Sequence, residues 1–178
     1  HLVMADQVQN QLGLDKVYLM PTYLPPHVDE KKTISSEHRL AMLELAVADN
    51  PCLDIEPIEL IRKGKSYTYD TMKALKEANP DTDYYFIIGG DMVEYLPKWH
   101  RIDDLLHLVQ FVGIRRPNYP TESTYPIIWV DVPQMAISST LIRQKVKSGC
   151  STRYLLPENV INYIQEKGLY QDELDNKL

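Results

Sequence analysis

A chain of 178 residues with 44% apolar content supplies enough material for one sizeable core, and a single compact domain over residues 1–178 is expected. The formal charge of −6 argues against a general nucleic-acid or anionic-membrane binder, because neither polyanion is attracted to a net acidic surface. No apolar run approaches bilayer length, no leader pattern opens the chain, and Cys52 and Cys150 have neither metal-ligand nor disulfide-framework spacing, so a cytoplasmic protein with reduced thiols is expected.

Taken in chain order, Val3, Met4, Val8 and Leu12 recur at helical spacing, and Gly13 is a natural stop. Residues 16–20 read as a short buried strand closed by Pro21. The prolines of Thr22-Tyr23-Leu24-Pro25-Pro26-His27 then dictate a rigid loop leaving its carboxyl end. Ser35 or Ser36 can cap a helix with Leu40, Leu43 and Val47 inward, ended by Asn50-Pro51. Residues 53–56 alternate like a strand, and Pro57 with Ile58-Glu59-Leu60 suggests an edge position. Residues 61–67 form a polar, basic loop around Gly64. Thr68 or Asp70 then caps a helix through Met72, Leu75 and Ala78.

Residues 84–88 are the most hydrophobic strand candidate. They read as a central parallel strand buried on both faces, running into Gly89-Gly90-Asp91, where the glycines let backbone approach a ligand. A short helical turn, a loop at Leu96-Pro97-Lys98-Trp99-His100 and a helix at 102–106 follow. A strand at 109–114 is followed at once by Arg115-Arg116-Pro117. After a surface excursion at 117–125, a strand at 127–132 leads to Ile137-Ser138-Ser139-Thr140-Leu141-Ile142-Arg143, which opens a helix ending near Gly149. A last helix starts at Leu156-Pro157-Glu158 with Val160, Ile161 and Ile164 inward, and Gly168 stops it.

Strands alternating with helices predict an α/β, Rossmann-like parallel sheet with helices on both faces. In that layout the loops carrying His27, Gly89-Gly90-Asp91, Arg116 and Ser138-Ser139-Thr140 lie at carboxyl ends of strands and face one crevice. The row of hydroxyls before residues 140–149 either caps that helix or leaves its free N–H groups for an anion. Thr140 and Arg143 are three apart, so both reach the same face. Trp99 in a Pro-bounded loop suits stacking on an aromatic ring, or packs at a rim, since core filling is not expected of it. Asp91 binds sugar hydroxyls or caps the next helix. Arg116 pairs with a phosphate or solvates a strand end, and Thr68 is a cap that can also bond a ligand. His27 has no partner that would make it catalytic, and Glu56, Glu59 and Glu94 read as solvated charges. Nothing indicates covalent catalysis, and an anion-rich crevice with a stacking platform fits phosphoryl or nucleotidyl transfer.

At this point the residues resemble a family. Ile137-Ser138-Ser139-Thr140-Leu141-Ile142-Arg143 is similar to the ISSTxIR signature of the bacterial nicotinate-nucleotide adenylyltransferases of the Rossmann-like nucleotidyltransferase superfamily. The likeness extends to Pro25-Pro26-His27, Ser66-Tyr67-Thr68, Ile87-Ile88-Gly89-Gly90-Asp91-Met92, Leu96-Pro97-Lys98-Trp99-His100, Arg116-Pro117 and Tyr154-Leu155-Leu156-Pro157. The resemblance implies joining of nicotinate mononucleotide to ATP with Mg²⁺, no metal ligands from the protein, and a homodimer by analogy. It implies that Trp99 stacks on the pyridine, that Thr68 and backbone near His100 read its carboxylate, and that Gly90, Asp91 and Arg116 hold the mononucleotide. Ser138, Ser139, Thr140 and Arg143 grip ATP, with His1 and Arg143 catalytic.

Two departures stand out. The family's GGTFDPxHxGH motif and first strand are matched only from its last histidine, His1, onward, which leads us to expect that residues preceding His1 were omitted. Val28 stands where many relatives have lysine. Two alternatives remain: transfer to another phosphorylated acceptor such as phosphopantetheine, and a non-catalytic nucleotide-binding module.

Overall fold

The computed structural model describes residues 1–24 and 34–171. The expectations for Pro25-Pro26-His27 and Val28 lie outside the described residues.

Helix α1 (Leu2–Leu12) has the expected extent, and Gly13, with φ at 61°, turns the chain so that its N–H and that of Leu14 bond the Asn10 and Gln9 carbonyls. Five strands follow in order, β1 (Val17–Leu19), β2 (Leu53–Ile55), β3 (Tyr84–Gly89), β4 (Val109–Ile114) and β5 (Ile127–Val130). All described pairings are parallel and fall into two ladders, β1-β2 and β3-β4-β5.

The register explains the layers. Phe86 lies opposite Phe111, Phe111 opposite Ile127, and Gly113 opposite Trp129. The two-residue period therefore sends Phe111 and Gly113 to one face of β4, and Val112 and Ile114 to the other. The first face is covered by α4 (Thr68–Ala78), α5 (Ile102–Leu105) and the 3₁₀ helix Gly90–Lys98, through Tyr69, Met72, Leu96 and Leu105. The second face is covered by α1 through Val8, with Met4 and Leu12 beside it. Ala5 and Leu2 of the same helix reach Val17 and Leu53, while Ile87 and Leu14 contribute to both apolar clusters. The two ladders share no hydrogen bonds, so packing beneath α1 joins them. Val8 is fully buried there, a contribution of about 1.5–3 kcal/mol.

Helix α2 (Ser36–Val47) begins at Ser35, whose side chain accepts the His38 N–H, so Ser35 is the cap and not Ser36. Of its expected inner residues only Val47 is buried; Met42, Leu45 and Ala46 instead pack on α7 (Glu158–Lys167). His38 Nδ1 lies 2.7 Å from the Tyr163 hydroxyl across that contact. In α7, Val160 and Ile164 are buried and Gly168 ends the helix as expected.

Two sequence expectations are corrected. The most deeply buried strand is β4, which has a strand along each edge and an apolar cluster on each face, whereas β3 leaves Tyr85 exposed. Residues Ile58–Arg62 form a short helix, α3, and do not extend an edge strand. The Glu56 carboxylate accepts the Ile58 N–H at 3.1 Å, which satisfies one of the first-turn donors and favours the helical turn.

Candidate functional site

The connection from β5 is fixed at several points before α6 (Ser139–Lys147) begins. Arg115 Nη1 donates to Asp131 Oδ2 at 2.7 Å, Gln11 Nε2 donates to the Asp131 carbonyl at 2.8 Å, and Gln134 Nε2 to the Arg115 carbonyl at 3.2 Å. Ser138 then caps the helix: its Oγ accepts the Leu141 N–H at 3.1 Å, and its carbonyl accepts the Ile142 N–H. The N–H groups of Ser139 and Thr140 have no intrahelical acceptor and carry the positive end of the helix dipole. Arg143 Nη2 lies 3.4 Å from Thr140 Oγ1, so hydroxyl and guanidinium share one face. Ser138, Ser139, Thr140 and Arg143 are all exposed. Ser138 therefore serves the helix as its cap, and the N–H groups of the next two residues are left without an intrahelical partner.

At the tips of β3 and β4, Asp91 Oδ1 and Arg116 Nε form an ion pair at 3.5 Å, with 41% and 36% of their side chains exposed. Exposure at that level makes the pair an orienting contact more than a stabilising one. Asp91 does not cap the 3₁₀ helix, which has no side-chain cap bond. His1 precedes α1 as an exposed N-cap without a side-chain bond. Its backbone lies near the Arg116 guanidinium, so the start of α1 adjoins the tip of β4.

The glycines here answer to the protein's own packing. A Cβ on Gly90 would lie 2.7 Å from the Ile114 carbonyl, so the residue is required by the adjoining strand as well as by any ligand.

The segment around Trp99 differs from expectation. Pro97 sits within the 3₁₀ helix Gly90–Lys98, so residues 96–98 are not loop. The indole is half-buried and stands edge-on to Phe86 and Phe111, with centroids at 5.9 and 5.8 Å. Trp99 thus takes part in core packing, contrary to the sequence reading, because the register places both phenylalanines on one face beneath it. A ring anchored by two T-shaped contacts loses little freedom when a second ring stacks on it. The neighbouring His100 packs on Tyr67 at 4.4 Å between centroids and meets Tyr69 edge-on at 6.5 Å.

Thr68 is the first residue of α4 and half-buried; the N-cap is Tyr67, which makes no side-chain cap bond. Neither Thr68 nor Asp70 caps the helix, and its first-turn N–H groups lack a side-chain acceptor. Sequence reasoning also missed three features. Glu59, read as solvated, is 5% exposed and accepts the Thr71 hydroxyl at 2.9 Å. The Trp129 ring lies over Gly113 and Gly90. Tyr67 supports His100. The three-residue spacing of Glu59 and Arg62 was the signal available for the first, since it puts both on one helical face.

The arrangement groups His1, Asp91 and Arg116 at one point, Ser138 to Arg143 at a second, and Tyr67, Thr68, Trp99 and His100 at a third. Two open clefts, of about 180 Å³ beside Gly90 and Pro97 and about 520 Å³ beside Lys16 and Leu53, do not include Trp99, Arg116 or α6. Among the described residues no group of three or more His, Cys, Asp or Glu side chains could hold a metal ion, and no helix is long and apolar enough to cross a membrane.

Residues 1–145 match the family described as cytidylyltransferase-like. The chain is 62% identical over 170 residues to a Streptococcus pneumoniae serotype 4 protein named "Probable nicotinate-nucleotide adenylyltransferase", covering 96% of this chain and 81% of that one. It is 61% identical over 171 residues to a Streptococcus mutans protein of the same name, with the same coverage. In three dimensions it resembles Plasmodium falciparum nicotinic acid mononucleotide adenylyltransferase complexed with NaAD, with a TM-score of 0.76 at 17% identity over 98% of this chain and 91% of that one. A second structure of the Plasmodium protein, complexed with APC, matches with a TM-score of 0.75 at the same identity and coverage.

Proposed function

The chain belongs to the cytidylyltransferase-like family and, within it, to the nicotinate-nucleotide adenylyltransferases, and from that membership we propose how its own residues divide the work. The protein is a nucleotidyltransferase of NAD biosynthesis that transfers the adenylyl group of ATP to nicotinate mononucleotide, giving nicotinate adenine dinucleotide and pyrophosphate.

The observation that supports the division is the separation of the two kinds of contact. Free helix donors and Arg143 lie at the mouth of α6, whereas a core-anchored indole lies beside the uncapped start of α4. The triphosphate binds at α6: the N–H groups of Ser139 and Thr140, the Thr140 hydroxyl and Arg143 contact phosphate oxygens, with Ser138 shaping the turn. His1, at the start of α1, adds a donor to the same phosphates. The mononucleotide binds across β3 and β4. Trp99 stacks on its pyridine, Thr68 and the backbone at His100 receive the carboxylate, and Arg116, steadied by Asp91 beside Gly90, holds the 5′-phosphate.

That phosphate attacks the α-phosphorus of ATP in line, the bond to the bridging oxygen breaks, and the electron pair leaves on pyrophosphate. Arg143 and His1 offset the charge that develops there. Mg²⁺ would accompany the triphosphate held by Ser139, Thr140 and Arg143. When bound it neutralises charge on the departing pyrophosphate. Cys52 and Cys150 are free thiols, which supports a cytoplasmic location.

Pyrophosphate release that requires both ATP and nicotinate mononucleotide is the expected result of a coupled assay. Release with phosphopantetheine in place of the mononucleotide, or ATP binding without release, would overturn it.

A further inference from the structure

Glu59 and Thr71 are the most deeply buried polar side chains near the site, at 5% and 0% exposure, and the reaction as described uses neither. The Thr71 hydroxyl donates to Glu59 Oε2 at 2.9 Å and accepts from Arg62 Nη2 at 2.5 Å. A single hydroxyl thus joins an anion and a cation, which leaves its donor and one acceptor position satisfied. A buried carboxylate without such partners would be costly, so these three groups must keep one geometry.

Their placement is informative. Glu59 and Arg62 lie on α3, whereas Thr71 lies one turn into α4. Between them the chain turns sharply: Lys63 and Gly64 both have left-handed φ, at 59° and 70°. It then presents Ser66, Tyr67 and Thr68. The network therefore closes the base of a short loop whose far end is the start of α4. That start has no side-chain cap, and its first-turn backbone bond runs from the Thr71 N–H to the Tyr67 carbonyl at 3.1 Å. Thr71 is tied to α3 by its side chain and to Tyr67 by its backbone. Tyr67 in turn packs on His100, next to Trp99.

We infer that buried Glu59 and Thr71, with the exposed Arg62, form a clamp that positions Thr68 and Tyr67 for the pyridine end of the acceptor, making all three positioning residues. The inference rests on the assignment of Thr68 and Trp99 to the mononucleotide. It predicts a selective effect, because the clamp's hydrogen bonds join α3 to α4 at one substrate's pocket.

The test is steady-state kinetics of Thr71→Val and Thr71→Ser, with each substrate varied in turn, at a temperature well below both melting points. Thr71→Val keeps the shape and removes the hydroxyl; displacements of this order are costly, and the KM for nicotinate mononucleotide is expected to rise about tenfold. The KM for ATP should stay within about twofold, and Thr71→Ser should restore the wild-type value. Equal changes in both KM values, or a lowered melting point with unchanged kinetics, would overturn the clamp. Should Thr71→Val fail to fold, Glu59→Gln, which retains shape and an acceptor but drops the charge facing Arg62, must show the same one-sided rise; its absence refutes the proposal. Thr68→Ala serves as the control. A selective rise there without one at Thr71 sinks only the clamp, whereas no selective rise at Thr68 sinks the assignment beneath it.

Discussion

The mouth of α6, which follows β5, and the start of α4, which follows α3, are both helix amino termini, yet they are built in opposite ways. At α6 the first turn is capped by its own neighbour, Ser138, and every polar residue expected to bind ligand is exposed. At α4 there is no side-chain cap. The turn is held from behind by the buried Thr71 and its partners, and from the side by Tyr67 on His100. A phosphate seat can be assembled from local donors because its ligand is small and highly charged. A pocket for a flat ring needs walls from elements distant in sequence, here residues near 59, 68, 99 and 111. Substitutions at α6 should therefore alter function with little effect on stability, and those around Trp99 should alter both.

The largest expected effect tests the first half of that contrast. Arg143→Ala should lower kcat/KM for ATP by about a hundredfold or more, since it removes a charge contact to the reacting phosphates. Being exposed, it should leave the melting temperature within a degree or two, roughly the shift of a surface change. A large drop in melting temperature measured by calorimetry would show that α6 is also structural.

Trp99→Ala should raise the KM for nicotinate mononucleotide about tenfold or more, with ATP affected less. Because the indole also packs on Phe86 and Phe111, the same change should cost about 1–3 kcal/mol in denaturant unfolding, less than for a fully buried aromatic. A kinetic change without a loss of stability would remove the claim that this wall is part of the core.

Smaller effects sharpen the comparison. Ser138→Ala should cost about 1 kcal/mol, the usual value of a lost N-cap, with a modest loss in ATP affinity as the first turn frays. A result like that of Arg143→Ala would instead place the Ser138 hydroxyl on the nucleotide.

The smallest expected effect lies away from both regions. The Ile55 N–H, and then the Lys16 ammonium, hold the exposed Asp54 carboxyl below its ordinary value of 3.8. A depressed carboxylate stabilises the fold above that ordinary value and loses the contribution as pH falls through the depressed one. Asp54→Asn should therefore lower the melting temperature slightly at neutral pH, and the two proteins should converge in strong acid. A constant difference at every pH would mean that shape and not charge is responsible.

The linear order of residues determined a good deal here. Apolar spacing located α1 and α7 with their glycine stops, the segments at 84–88 and 109–114 became strands, and the alternation of strands with helices implied parallel pairing with cover on both faces. The hydroxyl row before α6 was equally legible, because a helix cap and its free N–H groups depend on neighbours within four residues. What only the tertiary structure decided involves partners far apart in the chain. It made β4 and not β3 the buried centre, placed Trp99 against Phe86 and Phe111, fitted Gly90 beneath the Ile114 carbonyl, and buried Glu59 against Thr71. Solvation of a carboxylate or the use of an indole is set by which surfaces the fold brings against it, and those surfaces belong to strands and helices that spacing alone does not pair.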